Sequence, residues 1–515
     1  MPDPTFELLE TEGSGAGSND KDEAVTTNEK LVPKRLEDVK TYFETEFNAR
    51  INGDIVLRSF TLKGGTPALV AFLNGMADGK AVNDFILRPL MGKRTSAGTR
   101  SGGAKIEAVL KSCLEMAEAR QERDISRAAD AVTDGMTALF IEGESSCIVL
   151  DTHGFEKRGI GQAENETVVL GPKESFTESL NTNITLIRRI IRSRDLIAET
   201  RPAGGMNNTR LALVYLSGTA NPKLVAEIRK RLDNAKLRHI ASSGTVDQLI
   251  SDRRLLPVPQ TLSTERPDRA AAHIMQGCVC LAAEGSPLVL IMPVTLFSLM
   301  NSPEDVYLMR PLGTLLRLIR YSGALISVML PGYFLAMAMY HQGGLTAEVL
   351  STVISSRKMV FEPIAIEMIL LLLVFQLIRE AGLRVPGIIG QAIGIIGGLI
   401  MGQAAVAANL ASSVVLIIVA LSGLGNFCIP DYSLQLSAAY FRMTVVLAAW
   451  IGGLLGIVAA TMAVSALLVG QKSFGVPFLA PFTPKASSFR PAVIRGGLGA
   501  LRADDCNNTT EEARS

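Results

Sequence analysis

A carboxylate inside an apolar segment is the first feature of this 515-residue sequence that could do chemistry. The stretch EPIAIEMILLLLVFQLIRE, residues 362–380, is apolar enough to lie in lipid, yet it contains Glu367 and Gln376. If Pro363 lies in the first turn of a helix, Glu367 is about 6 Å along the axis, where the helix dipole favours a carboxylate. Two interpretations stay open: a shallow, hydrated glutamate, or a carboxylate that faces an ion pathway.

Polar residues also lie in or beside two other apolar runs. Asn426 and Asp431 flank the end of one run, in NFCIPDY, and Gln391 and Gln403 bracket a glycine-rich one. Asn426 could equally be an amide that holds two helices together. The sequence therefore predicts these ion-pathway candidates: Glu367, Gln391, Gln403, Asn426 and Asp431.

The glycine-rich run has one face without side chains. Glycine recurs there at every fourth position, at Gly390, Gly394, Gly398 and Gly402. Each glycine weakens an isolated helix by about 1 kcal/mol, whereas a small-residue face in lipid permits close approach of another helix. We predict that these four glycines pack against a helix of the same chain or of a neighbouring subunit.

The residue types of enzymes and metal sites are scattered along the chain. The histidines form no nucleophile–base group, and the 6 cysteines fit no zinc or redox spacing. We therefore predict no catalytic residues, no metal site and no cofactor. The basic loop GKRTSAGTRSGGA, residues 92–104, lacks aromatic side chains that could stack on bases, so no nucleic-acid partner is expected.

Charge is distributed unevenly along the sequence. The chain has 51 basic and 50 acidic residues, but only five of each lie between Gly323 and Gly470. Such a shift indicates a soluble half joined to a membrane half. The first thirty residues lack the apolar core of a signal peptide, so we expect the soluble half to stay in the cytosol.

The soluble half contains an internal repeat. Residues 127–152 and 269–294 align without a gap, and each copy predicts a short helix, a glycine stop and a hairpin with a Glu-Gly turn. The predicted fold class is α+β, with a disordered tail at 1–30 and two related α/β subdomains at 31–170 and 171–305. An all-α polytopic transmembrane domain follows them.

The transmembrane domain is predicted over residues 323–470, between an interfacial helix at 306–322 and a cytoplasmic tail at 471–515. Arg317 and Arg320 on the interfacial helix are typical of a helix that lies on an anionic leaflet. Basic residues on both flanks place both in the cytoplasm, which requires an even number of crossings. The domain has five apolar runs, at about 323–340, 363–378, 386–408, 412–429 and 443–470.

One of those runs is therefore predicted not to cross the membrane. The first run is interrupted by Pro331-Gly332, and the fourth is at the short limit of the roughly 20 residues that span the hydrocarbon. These two runs are the candidates for half-helices, whose irregular backbone needs a cover of protein or water.

Ordered motifs through most of the chain carry a family resemblance. Among them are GPKESFTESLNTNITLIRR (171–189), NSPEDVY (301–307), IGQAIGIIGGLIMGQAAV (389–406) and SFGVPFLAP (473–481). In these motifs the chain resembles the GerA family of spore germination proteins, the A-type subunits of nutrient germinant receptors. The resemblance implies a multi-pass protein in lipid, in the inner membrane of a bacterial endospore. It further implies a homo-oligomer that forms a nutrient-gated ion channel and that acts with a B-type transporter-like subunit and a C-type lipoprotein subunit.

The chain departs from the family at three positions. Members often carry Glu where this sequence has Leu372 and Gln376, and Asn where it has Asp431. If the face of 372 and 376 lines the pathway, its wall is less acidic here. Two alternatives to the channel stay open: a SpoVAF-type paralogue that assists release of dipicolinic acid and ions, and a non-conducting scaffold that relays a signal between neighbouring membrane proteins.

Overall fold

A computed structural model describes most of the chain between Lys30 and Phe482. Three regions lie mostly outside the described residues: the tail predicted at 1–30, of which only Lys30 is described, the basic loop at 92–104 and the apolar run at 386–408. The described residues are 30–92, 106, 109–110, 118–154, 161, 163, 166, 168, 170–204, 208–234, 242–252, 257–384, 398 and 400–482.

The first part of the chain forms a five-stranded antiparallel sheet covered by helices on both faces. The strands are β1 (Ile55–Thr61), β2 (Pro67–Leu73), β3 (Ala119–Glu122), β4 (Thr137–Ile141) and β5 (Cys147–Leu150). The helices are α1 (Leu36–Glu46), α2 (Gly79–Ala81, continued by Val82–Leu87 and Arg88–Gly92) and α3 (Ile125–Thr133). The strand order in the sheet is β1-β2-β4-β5-β3. Helices α1 and α3 pack on one face of the sheet, and the segment α2 packs on the other.

A second five-stranded sheet repeats this topology. The strands are β6 (Leu196–Ala203), β7 (Thr209–Leu216), β8 (Leu262–Thr264), β9 (Val279–Ala283) and β10 (Val289–Met292). The helices are α4 (Leu180–Ile190), α5 (Pro222–Asn234), α6 (Ser243–Ile250), α7 (Pro267–Met275) and α8 (Leu296–Met300). The strand order in the sheet is β6-β7-β9-β10-β8. Helices α4 and α7 cover one face of the sheet, and α5 and α6 cover the other.

The hairpins predicted from the internal repeat are confirmed. Strand β4 pairs with β5, and β9 pairs with β10, both antiparallel. Equivalent glycines have the same left-handed backbone: φ is 99° at Gly135 and 91° at Gly277, after the helix of each copy. In the Glu-Gly turns, φ is 86° at Gly143 and 78° at Gly285. Because side chains strain this conformation, the paired glycines identify two copies of one structural unit.

A buried polar contact joins the two sheets. The Arg188 guanidinium, on α4, forms an ion pair with Asp54 and donates a hydrogen bond to the Leu196 carbonyl oxygen at 2.8 Å. The Asn52 side-chain oxygen accepts from the Ala198 amide at 3.1 Å. Since Arg188 is also fully enclosed, this contact fixes the first sheet against the edge strand of the second.

The C-terminal part of the described chain is helical. The helices are α9 (Arg310–Tyr340), α10 (Ala347–Arg357), α11 (Ile364–Arg384), α12 (Ser413–Phe427) and α13 (Tyr432–Gly470). Residues 400–407 are also helical. Two of these helices, α9 and α13, are long and apolar enough to cross a membrane.

Helix α9 corrects two expectations about its region. It is continuous through Pro331, so the first apolar run is not interrupted, and the interfacial helix predicted at 306–322 is no separate element. Arg317 and Arg320 bind the buried Asp305 carboxylate, at 3.1 Å and 2.7 Å respectively. These two arginines therefore hold the start of α9 to the preceding turn and do not face a leaflet. Apolar spacing alone did not distinguish the two roles.

Helix α13 reverses direction at Gly453, where φ is 56° and ψ is −137°. Leu434, near its start, and Leu468, near its end, both pack against the core of the second sheet. These residues would be about 50 Å apart in a straight helix, so α13 is a hairpin of two arms. The Tyr340 hydroxyl donates to the Trp450 carbonyl oxygen at 2.6 Å and satisfies a backbone group that the reversal frees.

The segment after α13 packs on the second sheet. The Ser473 hydroxyl donates to the Gln260 carbonyl oxygen at 2.7 Å and accepts from the Val294 amide at 3.1 Å. The Leu296 amide donates to the Phe478 carbonyl oxygen at 2.8 Å. Strands β11 (Lys472–Ser473) and β12 (Val476–Pro477) form a small hairpin here. The beginning of the predicted cytoplasmic tail is thus an ordered part of the unit built on the second sheet.

Candidate functional site

Glu367 lies in the first turn of α11, as the sequence predicted, but its side chain is buried and fully bonded. One carboxylate oxygen accepts from the Ser412 amide at 2.6 Å and from the Ser412 hydroxyl at 2.8 Å. The other oxygen forms an ion pair with Arg357 Nε at 3.2 Å. The interpretation of Glu367 as a hydrated glutamate is therefore wrong, since protein groups occupy both of its oxygens.

The Glu367 carboxylate joins three helices at one end of the bundle. Ser412 is the N-cap of α12, and its hydroxyl accepts from the Val415 amide at 3.4 Å. Arg357 ends α10 and also donates to the Glu362 carbonyl oxygen at 2.7 Å. A carboxylate at a helix N-terminus is favoured by the helix dipole. Glu367 is thus placed to orient α10 and α12 around the start of α11, within one chain.

Asn426 occupies a polar cluster near the opposite end of the bundle. It is buried, and with its amide oriented to satisfy both partners its oxygen accepts from Arg379 Nη1 at 2.7 Å. Its nitrogen then donates to the Gln435 carbonyl oxygen at 3.2 Å. Asn426 therefore joins α11, α12 and α13, in agreement with the alternative of a helix-packing amide.

Two arginines of this cluster were not predicted from the sequence as site residues. Arg379 lies on α11, and Arg442 on α13 donates to the Ser422 hydroxyl at 3.2 Å. Ser422 in turn donates to the Ser327 carbonyl oxygen, on α9, at 2.8 Å. The signal that could have found them is their charge, because Arg379 and Arg442 are two of the five basic residues between 323 and 470. The cluster presents cationic donors, and could hold an anion.

Asp431 lies at the junction of the two halves of the chain. It is the N-cap of α13 and accepts from the Leu434 amide at 2.8 Å. Burial raises the pKa of the Asp431 carboxyl above its ordinary value, while the Leu434 amide and Arg269 act in the opposite direction. Asp431 and Glu367 thus lie at opposite ends of the helical bundle.

The remaining site candidates are on the glycine-rich run. Gln403 is exposed, and a Cβ at Gly398 would meet no atom within 4 Å. A Cβ at Gly402 would be in ordinary contact with Leu416, at 3.4 Å. Gln391, Gly390 and Gly394 lie outside the described residues. The described part of this glycine face is therefore mostly open, and packing between subunits stays a prediction.

Two close helix crossings among the described residues use other glycines. A Cβ at Gly425 on α12 would lie 2.4 Å from the Gly323 carbonyl oxygen on α9. A Cβ at Gly332 would lie 2.7 Å from the Val445 side chain on α13. Single glycines at these crossings allow α9 to contact both neighbours closely. They form no regular repeat in the sequence, which is why their spacing did not reveal them.

The described residues bring together no metal-binding group. Across the described ranges, no three His, Cys, Asp or Glu side chains converge as ligands. The motif at 171–189 has a structural role: Ser179 caps α4, and the Asn183 side chain accepts from the Thr177 amide at 2.7 Å and donates to its carbonyl oxygen at 2.6 Å. This motif orders the start of a helix whose apolar side chains belong to the same buried core as the base of α13.

Comparison with known proteins agrees with the resemblance seen in the sequence. The family model described as "Bacillus/Clostridium GerA spore germination protein" matches residues 41–503. The chain is similar to spore germination protein GerLA of Bacillus cereus, with 32% identity over 84% of this chain and 87% of that protein. It is also similar to spore germination protein KA of Bacillus subtilis (strain 168), with 29% identity over 87% of this chain and 82% of that protein.

A solved structure matches the N-terminal part. The crystal structure of the N-terminal domain of the A subunit of the Bacillus megaterium spore germinant receptor GerK3 is 28% identical, with a TM-score of 0.41. The match covers 51% of this chain and 95% of that chain. Since the family model spans both the two sheets and the helical bundle, the chain belongs to the GerA family of spore germination proteins.

Proposed function

We propose that this protein is the A-type subunit of a spore germinant receptor, a multi-pass protein of the endospore inner membrane whose two sheets lie in the cytoplasm. The observation that carries the proposal is the apolar outer surface of the bundle. In the most apolar windows of α9 and α13, only 39% and 22% of the residues are buried. The core helix of a soluble protein is mostly buried, whereas a lipid-facing helix exposes apolar side chains such as Ile451, which is 82% exposed.

The contacts of the bundle support a topology with six crossings. Its soluble end packs on the second sheet, through Leu434 and Leu468. Its distal end holds the Tyr340–Trp450 contact and the Glu367–Ser412 contact. Helices α9, α11 and α12 each run between these ends, and the two arms of α13 add two crossings. We assign the sixth crossing to the segment that contains the helical residues 400–407, which gives the even number that basic residues on both flanks require.

Oligomer formation and ion passage are assigned to the surface around Gly398 and Gln403. A Cβ at Gly398 would meet no atom within 4 Å, and Gln403 is exposed although it lies in an apolar run. A small face beside an amide suits close packing of a second copy, with the amide directed at a shared pathway. We propose a homo-oligomeric, nutrient-gated ion channel that acts with a B-type transporter-like subunit and a C-type lipoprotein subunit.

The test is ion flux through the reconstituted receptor. The A, B and C subunits are placed in liposomes loaded with potassium, and efflux is recorded after addition of a nutrient panel. We expect nutrient-dependent efflux that falls at least tenfold in Gln403→Leu, and that Met401→Leu, a change at an exposed apolar neighbour, leaves intact. Absence of efflux with every nutrient and partner would contradict a channel. Unchanged efflux in Gln403→Leu would place the pathway elsewhere.

A non-conducting scaffold is the second candidate, and a specific observation favours it. Two of the predicted pathway residues, Glu367 and Asn426, form intrachain contacts between helices. The motif at 171–189 orders α4, which shares one buried core with the base of α13, and movement can be relayed between the halves through this core. A scaffold requires that Gln403→Ala leaves ion release from spores unchanged, and that disruption of 171–189 abolishes it. The channel requires that Gln403→Ala reduces release.

A further inference from the structure

Two arginine side chains are buried in the helical bundle without a carboxylate beside them. Arg442, on α13, is 2% exposed, and Arg379, on α11, is 9% exposed. Among the described residues, neither guanidinium group has an aspartate or glutamate as an ion-pair partner, and both retain N–H groups without a hydrogen-bond partner. A buried charge that lacks a counter-charge is strongly unfavourable, so a bound anion would stabilise the two buried guanidinium groups.

Helix α12 holds the two guanidinium groups side by side. Asn426 accepts from Arg379, and Ser422 accepts from Arg442. Ser422 and Asn426 are four residues apart on one face of α12, where Cβ atoms lie about 5–6 Å from each other. The two positive charges are close enough to repel. An anion between them would offset the repulsion.

The open donors of Arg379 form one edge of its guanidinium plane. They are Nε and Nη2, and both are buried and unpartnered. The same edge binds carboxylates elsewhere in this chain. Arg210 Nε and Nη2 bind the two oxygens of Glu284 at 2.9 and 2.6 Å, and Arg266 Nε and Nη2 bind those of Asp268 at 3.1 and 2.7 Å. This planar fork matches the spacing of carboxylate oxygens.

We propose that a small free carboxylate anion binds between Arg379 and Arg442. Its two oxygens occupy the Nε–Nη2 edge of Arg379, and the unpartnered Nε of Arg442 supplies a third donor. The site is enclosed by helices of this chain: α11 and α13 carry the arginines, α12 carries their partners, and α9 adds Ser327. This enclosure favours a small solute over a side chain of another subunit.

The position of the site provides a route for the anion. Phe441, directly before Arg442, packs against the core of the second sheet. The site therefore lies where the bundle meets the soluble half, within reach of the aqueous side. Binding there does not depend on ion conduction, so it can be tested separately from the proposed channel.

The experiment is equilibrium binding of radiolabelled acetate to the purified full-length protein in detergent, with ionic strength held constant by sodium chloride. We expect saturable binding of one acetate per chain. Arg379→Gln and Arg442→Gln should each weaken it at least tenfold. Arg379→Lys should also weaken it at least tenfold, because an ammonium group lacks the paired donors. The matched control is Arg384→Gln, an exposed arginine on the same helix that pairs with Glu380.

A second readout keeps the test valid if a variant changes the fold. Thermal unfolding without acetate is followed by the fluorescence of Trp450, the single tryptophan. Arg379→Met should raise the unfolding midpoint, since it removes an unpaired buried charge, and acetate should raise the midpoint of the wild-type protein but not of this variant. Absence of saturable binding, binding that survives both arginine substitutions in folded protein, or equal competition by chloride would overturn the proposal.

Discussion

The buried carboxylate of Glu367 gives the most quantitative prediction. Its replacement by alanine removes three hydrogen bonds, two from Ser412 and one from Arg357. It also leaves the buried N-cap of α12 without its acceptor. A hydrogen bond to a charged group contributes about 1.5–3 kcal/mol, so loss of the two buried bonds from Ser412 should lower the free energy of unfolding by roughly 3–5 kcal/mol.

Glu367→Gln keeps the two hydrogen bonds from Ser412 and removes the interaction with Arg357. The glutamine oxygen can still accept from the Ser412 amide and hydroxyl, whereas its NH2 group is a donor and cannot accept from Arg357 Nε. The Arg357 side chain is 22% exposed and can reach solvent, so the expected cost is smaller, roughly 1–3 kcal/mol. Glu380→Ala is the control on the same helix: its i,i+4 pair with Arg384 is solvent-exposed, and such pairs contribute about 0.3–0.5 kcal/mol.

The assay is reversible unfolding in mixed micelles with an increasing fraction of sodium dodecyl sulfate, followed by Trp450 fluorescence. Trp450 lies at the distal end of the bundle, with Glu367. If Glu367→Ala changes the unfolding free energy by less than about 0.5 kcal/mol, comparable to an exposed pair, the assignment of Glu367 as the link between three helices is refuted. A stable Glu367→Gln variant that no longer supports ion release would instead return this residue to the pathway.

Three further outcomes are expected. Gly425→Ala should destabilise the bundle by roughly 1–3 kcal/mol, because its Cβ would lie 2.4 Å from a backbone oxygen of α9. Gly398→Ala, at an open position, should not destabilise the bundle, and the same unfolding assay compares the two variants. Gly398→Leu should instead shift the oligomer to smaller species in size-exclusion chromatography with light scattering, and an unchanged mass would remove Gly398 from the subunit contact. Asp431 has a pKa raised above its ordinary value of 3.8 by burial, so its contribution to stability is present below pH 3.8 and is lost as the pH rises through the folded value. Asp431→Asn keeps the N-cap and should flatten that decline in thermal melts across pH, whereas an unchanged pH profile would contradict the effect of burial.

Local patterns in the sequence predicted much of the soluble half. The repeat of helix, glycine and hairpin depends on residues within about ten positions of each other, so spacing reveals it. The left-handed backbone at Gly135 and Gly277 agrees with the predicted helix stops. The start of α11 just after Pro363 was likewise indicated by the fixed φ of proline.

Contacts between distant positions could not be predicted in this way. Ser412, which binds Glu367, is 45 positions away in the chain, and no local pattern connects the two residues. The same holds for Arg317 and the buried Asp305, because their apolar spacing fits both a lipid surface and a protein core. The reversal of α13 at Gly453 lies within an uninterrupted apolar run, where a glycine in a straight transmembrane helix gives the same composition.

The direct test of a membrane-spanning bundle with both flanks on one side is cysteine accessibility in intact cells. In a chain without its native cysteines, single cysteines are introduced as Gly343→Cys and Met359→Cys at the distal end of the bundle, and as Ile190→Cys on α4. These positions are accessible, because Met359 and Ile190 are exposed and a Cβ at Gly343 meets no atom within 4 Å. A membrane-impermeant maleimide should label the two distal positions in intact cells, and Ile190→Cys only after lysis. Labelling of Ile190→Cys in intact cells, protection of both distal positions, or recovery of the chain in the soluble fraction would contradict the account.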